Sequence, residues 1–381
     1  MNPDTSWRRY QQAFASLSGD ISGAFGDLGT LLPFVISAIS LGVLAPTPVF
    51  FGFAAGYLLV AVVYRLPIAV QPMKALGAII LTGGLTSLET AWAGTIIGAV
   101  LLTMSFTPHL VRLARALPQS VVTGLQAGLG LMLGVLAVDM MGAGWLIALP
   151  ALALLALSWI WPRGPWALLV VGGALLSDST ATLPLAAGSS PESLELSMPA
   201  VAEGLMAQLP LTLLNAVVVA TAVAHSLFPD SARRVSERRL AATSGLLNLA
   251  LVPFGAMPMC HGAGGIAAHY RFGARSLIAP LTVAAACVLA ALQGPTVIAW
   301  LAAIPTPVIG ALLANAAIEL MLGKRLFDAR PDCRPVIAAT ALGTLFGGAL
   351  VGLAMGLVSD RLRLHVKHRR AARAPQDGGD S

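Results

Sequence analysis

Two polar islands stand inside otherwise apolar stretches of this chain, Gln71-Pro72-Met73-Lys74 and Met257-Pro258-Met259-Cys260-His261-Gly262. Each holds a proline, which removes a backbone donor and breaks the helix ladder. A half-helix restarting after such a break presents unpaired N–H groups and about half a positive charge at its N-terminus. Two such ends facing one another make a site for an anion. Lys74 has the matching sign. In the first turn of a half-helix its charge opposes the dipole, and a buried charge costs at least ~2.5–3.5 kcal/mol at a membrane centre. An anion between the ammonium and the helix ends relieves both penalties. The competing reading is a side chain that snorkels to the surface, because Arg65 lies only nine residues earlier.

The neighbouring residues each carry two readings. Gln71 offers amide donors to an oxyanion, or serves the broken backbone. Gly262, Gly264 and Gly265 admit a ligand close to the main chain, or pack against another helix. Cys260 and His261 are adjacent without further ligands, so no metal and no cofactor is expected. His261 is a hydrogen-bond donor, a proton acceptor or a satisfied structural histidine, and Cys260 a small packing residue. Asp27 and Glu319 are carboxylates within apolar segments and functional candidates for that reason. Asp27 would carry a proton, pair with Lys74 or hold backbone opened by its flanking glycines. Glu319 would carry a proton or pair with Lys324 or Arg325. Gln126 and Asn315 hold matching places in the two halves of the chain; interhelical hydrogen bonding accounts for both.

These residues sit on elements that composition makes membrane helices. The 381 residues are 57% hydrophobic and 10% charged, where a soluble domain needs about a quarter charged to cover its surface. Apolar runs of spanning length recur, without the alternation of a barrel strand, so the expected fold is an all-α integral membrane protein. Net charge is +6. The basic residues fall in short loops and the C-terminal tail, which fits the positive-inside rule and excludes nucleic acid as a partner. Counting from a cytoplasmic N-terminus, Arg65, Arg112, Arg163, Arg233, Arg271, Lys324 and the tail from Arg361 all fall on one side given about fourteen spans. Residues 82–90, 177–199 and 293–306 carry no Lys or Arg and fall on the other side. Both termini are then cytoplasmic, in a multi-pass cell (inner) membrane protein. The last two spans, 335–346 and 347–360, are short for ~30 Å of hydrocarbon and read as a tilted or re-entrant hairpin. Three scattered cysteines give no disulfide framework.

The halves echo each other. Thr30-Leu31-Leu32-Pro33 matches Thr212-Leu213-Leu214-Asn215, Pro72-Met73 matches Pro258-Met259, and Leu131-Met132-Leu133-Gly134 matches Leu320-Met321-Leu322-Gly323. The order is kept and the offset rises gently, as in one duplicated unit with small insertions. An odd number of spans per unit makes the repeat inverted, and both breaks then meet near the midplane. The expected division is a first repeat at 1–178, an extracytoplasmic linker at 179–200, a second repeat at 201–362 and a basic, disordered tail at 363–381.

Gly26-Asp27-Leu28-Gly29-Thr30, Val70-Gln71-Pro72-Met73-Lys74-Ala75 and Pro258-Met259-Cys260-His261-Gly262-Ala263-Gly264-Gly265 closely resemble the signatures of the molybdate transporter family. That family is a branch of the sulfate permease superfamily. The resemblance covers nearly the whole chain. It implies a 7+7 inverted repeat, with spans one to four and eight to eleven forming a core domain and the others a gate domain. Broken half-helices would lie at spans three and ten. It puts the anion between the third and tenth spans, at Gln71–Lys74 and Cys260–Gly264. The candidate substrate-binding residues are then Gln71, Met73, Lys74, Cys260, His261, Gly262 and Gly264, with Thr30 beside them, and the residues read above, Asp27, Glu319, Gln126 and Asn315, are the coupling or gating candidates. Sulfate permeases usually end in a STAS domain, which this sequence lacks; that favours molybdate.

The expected function is secondary transport of a tetrahedral oxyanion, molybdate first, by alternating access, with proton symport open to Asp27, Glu319 or His261. Tungstate or sulfate are alternative substrates. A nucleobase or aromatic-acid carrier of the same fold would need carboxylates where Cys260 and His261 stand, and an anion channel would not accumulate its ion. No nucleophile–base set points to an enzyme. A homodimer in the bilayer is compatible with the sequence.

Overall fold

The computed structural model describes residues 17–161, 166–176 and 196–373. A first segment, Leu17–Ser40, is interrupted by a turn at residues 25–27 and continues as α1 (Leu28–Ser40). α2 (Pro46–Val63) opens with proline in its first turn, where the missing N–H has no intrahelical partner to lose. β1 (Gln71–Pro72), the half-helix α3 (Lys74–Leu81) and α4 (Ser87–Ser105) follow. α5 (His109–Ala116) leads to α6 (Gln119–Gly142), α7 (Trp145–Ile160) and α8 (Trp166–Leu175). Then α9 (Met198–Leu211) passes through a π-helical stretch, Thr212–Val219, into α10 (Ala220–Leu227). α11 (Glu237–Leu251) precedes β2 (Met259–Cys260), the half-helix α12 (Ala263–Arg271) and α13 (Ile278–Leu292). α14 (Gly294–Ala302), α15 (Thr306–Met321), α16 (Lys324–Phe327) and α17 (Arg334–Arg373) complete the order.

Among the described residues six helical segments are long and apolar enough to cross a membrane, and four apolar helices are shorter. Large apolar side chains such as Leu146, Phe106 and Phe346 point outward, as lipid-facing residues do and a water-facing surface does not.

The helices pack as two groups. In one, α4 lies on α11 and α2 on α13. Glycine brings α4 and α11 into backbone contact: a Cβ on Gly98 would stand 2.7 Å from Leu249 N, and one on Gly245 2.6 Å from Leu102 N. In the other, α6 lies between α15 and α17. α17 is broken at Gly348, whose φ of 81° suits glycine alone. Thr340 and Thr344 before the break face Gly356 and Gly352 after it, so the two arms form a hairpin. The short last segments of the sequence are therefore folded back on each other.

Three expectations change. The second arm of α17 runs to Arg373, so residues 363–373, expected in a disordered tail, are helical. The loop at 293–306 contains α14. The linker at 179–200 lies mainly outside the described residues, and its last three residues already belong to α9, capped by the Ser197 hydroxyl.

Candidate functional site

The two breaks pair with each other. β1 and β2 run antiparallel, Gln71 opposite Cys260 and Pro72 opposite Met259, and Met73 N–H donates to Pro258 O at 2.9 Å. Asn248 of α11 completes the outer edge of β2. Its Nδ2 donates to Met259 O at 2.6 Å, and its Oδ1 accepts from Met259 N–H at 2.9 Å. Non-helical backbone at membrane depth is stable only when protein satisfies it in this way.

A cavity of about 180 Å³ lies between the breaks. Gln71, Pro72 and Lys74 line it from one side, and Cys260, His261, Gly262, Ala263 and Gly264 from the other. Gln126 of α6 borders it, as do Gln208 and Leu211 of α9 and Asn215 and Ala216 of the π-helical stretch. The volume suits a small ion with some water, below the ~300–1,000 Å³ of sites for drug-sized ligands.

The two half-helix ends differ. At α3, the Ala75 and Leu76 N–H groups donate to Gln208 Oε1 at 2.9 and 3.2 Å, and Gln208 Nε2 donates to Thr212 Oγ1 at 2.8 Å. Gln208 thus caps α3 from another helix. At α12, the Ala263 and Gly264 N–H groups make no hydrogen bond among the described residues. A Cβ on Gly264 would meet nothing within 4 Å, so this end faces open space. Lys74, half-buried, takes part in none of the salt bridges among the described residues, and its charge lies within Coulombic range of Asp27.

Asp27 and Gln71 form a buried pair behind the cavity. Gln71 Nε2 donates to both carboxylate oxygens, at 2.6 and 2.8 Å. This turns Gln71 Oε1 toward Gly262, where a Cβ would stand 1.5 Å from it; a Cβ on Gly265 would lie 2.5 Å from Asp27 Oδ2. Gly262 and Gly265 therefore make room for this pair; Gly262 and Gly264 both line the cavity, and of the three only Gly264 would leave a Cβ in open space. Gln71, expected to donate to the anion, has its amide nitrogen on Asp27 instead.

His261 is fully buried with both ring nitrogens engaged. Nδ1 faces Ala69 O at 3.1 Å and Nε2 faces Thr243 Oγ1 at 2.7 Å. A carbonyl only accepts, so Nδ1 carries a proton, while Nε2 shares a hydrogen bond with the Thr243 hydroxyl, which also lies 2.9 Å from Arg239 O. Tyr64 lies edge-on to the ring, centroids 5.9 Å apart, and its hydroxyl is 2.7 Å from Thr243 Oγ1. Both ring nitrogens are thus satisfied by protein, as in the structural reading, while the residue also borders the cavity. Met73 is buried as the residue before α3 and does not line the cavity. Thr30 Oγ1 donates to Glu319 Oε2 at 3.2 Å, joining α1 to α15, rather than bordering the cavity. Arg325 donates to Asn215 Oδ1, not to Glu319. Gln126 lines the cavity, whereas Asn315, its match in the repeat, is buried away from it.

Gln208 and Asn215 are the polar lining residues the sequence reading did not assign to the site. Their signal was spacing: Gln208, Thr212 and Asn215 recur at four and three residues, one polar stripe on an apolar span.

A family model described as "Molybdate transporter of MFS superfamily" matches residues 19–133 and 200–320. "Molybdate transporter 1" of Arabidopsis thaliana is 29% identical, over 90% of this chain and 87% of that protein. Among solved structures, the transmembrane domain of a cyanobacterial bicarbonate transporter, BicA, superposes with a TM-score of 0.64 at 15% identity, covering 90% of this chain and 97% of that one. The murine Solute Carrier 26 family member A9 anion transporter, in an inward-facing state, gives 0.65 at 14% identity, covering 93% and 68%. The family description names MFS, whose halves have six spans each. The fold is instead that of these two anion transporters.

Proposed function

The chain belongs to the molybdate transporter family, and from that premise we propose that the cavity between the two backbone breaks is where molybdate binds. One observation carries the reading: an unpaired ammonium, an uncapped helix N-terminus and a helix N-terminus capped only by a side-chain amide converge on the same small cavity. The Ala263 and Gly264 N–H groups and the Lys74 ammonium supply donors to the oxyanion. Gln208 Oε1 occupies the place at α3 that an oxyanion oxygen would take, since one acceptor there satisfies two N–H groups. Molybdate entry then displaces Gln208, exchanging a neutral acceptor for a charged one, and a charge-assisted bond is about twice as strong.

The transport cycle rests on the same geometry. The contact of α2 with α13 and that of α4 with α11 exchange under a two-fold relation of the halves, and α6 meets α15, its own counterpart. These pairings support a 7+7 inverted repeat with a core group and a gate group. Between the groups run the Thr30–Glu319 and Asn215–Arg325 bonds on one side, and on the other the Ala349 N–H to Glu203 Oε1 at 2.9 Å. Alternating access breaks one set while the other holds. For proton coupling, His261 and Asp27 are occupied inside the core, and Glu319 is the candidate on the moving seam. Glu319→Gln flattens the pH dependence of uptake; an unaltered pH profile removes Glu319 from coupling.

The direct test is molybdate binding to purified protein with sulfate as competitor. Lys74→Ala weakens binding roughly 10- to 100-fold, the range of a lost hydrogen bond to charge, about 1.5–3 kcal/mol. Wild-type affinity in Lys74→Ala would falsify the placement of the anion.

A further inference from the structure

Away from the molybdate cavity, and independent of it, the open end of the α17 hairpin encloses a larger crevice of about 590 Å³. Its apolar wall is Pro335 and Val336 from the first arm and Leu362 and Val366 from the second. Its polar rim is Arg330, Asp332, Arg363 and Lys367. Arg363 is fully engaged: it bridges to Asp332 at 2.9 Å and to Asp360 at 2.9 Å, tying the arms together. Arg330 and Lys367 take part in no salt bridge among the described residues and are exposed.

The crevice sits where the apolar stretch of Pro331–Lys367 gives way to charge, from Asp360 onward. In a membrane-spanning hairpin, a change from apolar to charged residues falls at the level of the lipid headgroups. The lining carries Arg330, Arg363 and Lys367 against Asp332, and Asp360, which bridges Arg363 from outside the lining, reduces the excess to one positive charge. A single phosphodiester would neutralise it. Basic pockets between membrane helices at this depth take anionic headgroups, with acyl chains lying on the apolar wall beneath. A second copy of this chain would have to bring its own acidic group to the same place, whereas the bilayer supplies phosphodiesters at that depth already.

We propose that the crevice between the arms of α17 binds one anionic phospholipid, its phosphodiester between Arg330 and Lys367 and its acyl chains along Val336, Leu362 and Val366. Native mass spectrometry of the full-length protein, released from mixed phosphatidylglycerol and phosphatidylcholine micelles, reads this directly. Wild type retains one phosphatidylglycerol per chain in preference to phosphatidylcholine. The double variant Arg330→Ala/Lys367→Ala loses that preference at least about ten-fold, while molybdate binding, the check that it folds, is kept. Equal retention of both lipids by wild type overturns the proposal. So does displacement of the bound lipid by soluble glycerol 3-phosphate, which would make the crevice a site for a free phosphate ester. A double variant that keeps its phosphatidylglycerol but loses self-association overturns it too, and assigns the crevice to a second copy. If the double variant fails to bind molybdate, the single charge-keeping variant Lys367→Arg must retain phosphatidylglycerol and Lys367→Glu must lose it.

Discussion

The start of α3 and the start of α12 are counterparts, each following a proline and a two-residue strand, yet they are finished differently. The α3 end is closed by Gln208 from a neighbouring helix and carries Lys74. The α12 end has no side-chain cap, carries no charge and exposes Gly264 to the cavity. On the proposed inverted-repeat reading, the two halves have thus divided one task. One end supplies charge and a removable cap, the other supplies bare backbone. A symmetric pair of open ends would leave four or more N–H groups unsatisfied in a low-dielectric cavity whenever it was empty, at about 1–3 kcal/mol each. Under the proposed placement of the anion, capping one end keeps the empty carrier stable and leaves the other to engage the ion first.

The largest break in this comparison is Gly262→Ala. Its methyl would overlap Gln71 Oε1, 1.5 Å away, and push Gln71 off Asp27. Overpacking of this kind costs about 1–3 kcal/mol, so molybdate affinity falls roughly 10- to 100-fold in a binding titration. Undiminished affinity would show that the Asp27–Gln71 pair does not shape the site. Next, Gln208→Ala moves two observables in opposite directions. Loss of the cap lowers the thermal stability of the ligand-free protein by about 1 kcal/mol. Molybdate then has no competitor at α3, and affinity rises about two- to five-fold. A fall in affinity would make Gln208 a direct ligand and not a stand-in. The smallest effect is in amide hydrogen exchange. Molybdate slows exchange at Ala263 and Gly264, which start without partners, and changes Ala75 and Leu76 little, because one acceptor replaces another. Equal slowing at both ends would abolish the asymmetry.

The sequence made some of this legible because the signals are local. A proline inside an apolar run breaks a helix wherever it occurs, and Lys74 stands out against its neighbours by charge alone. Reading the halves as an inverted repeat leads to the expectation that the two breaks meet, and β1 does pair with β2. What stayed hidden depends on side chains distant in sequence arriving together. Asp27 and Gln71 lie in separate segments, so Gln71 read equally as a ligand or a backbone partner. Gln208 drew no reading at all, because nothing in its own stretch shows that it reaches the start of α3. His261 looked chemically available until Thr243 and Ala69 were seen on its two nitrogens. The helical course of residues 363–373 was missed because a charged, basic stretch resembles a solvated tail unless its helix continues from a packed arm.

The two-residue ladder between β1 and β2 also limits how the chain can change length. Side chains alternate across a strand pair, so a register shift of one residue would turn Gln71 from Asp27 and present a different face to the cavity. A single insertion or deletion between Arg65 and Lys74, or between Gly255 and Ala263, would force that shift. Changes of length in the connections far from the breaks would not. Across descendants of this gene, the loops are free to lengthen and shorten, while these two short stretches must keep their residue count.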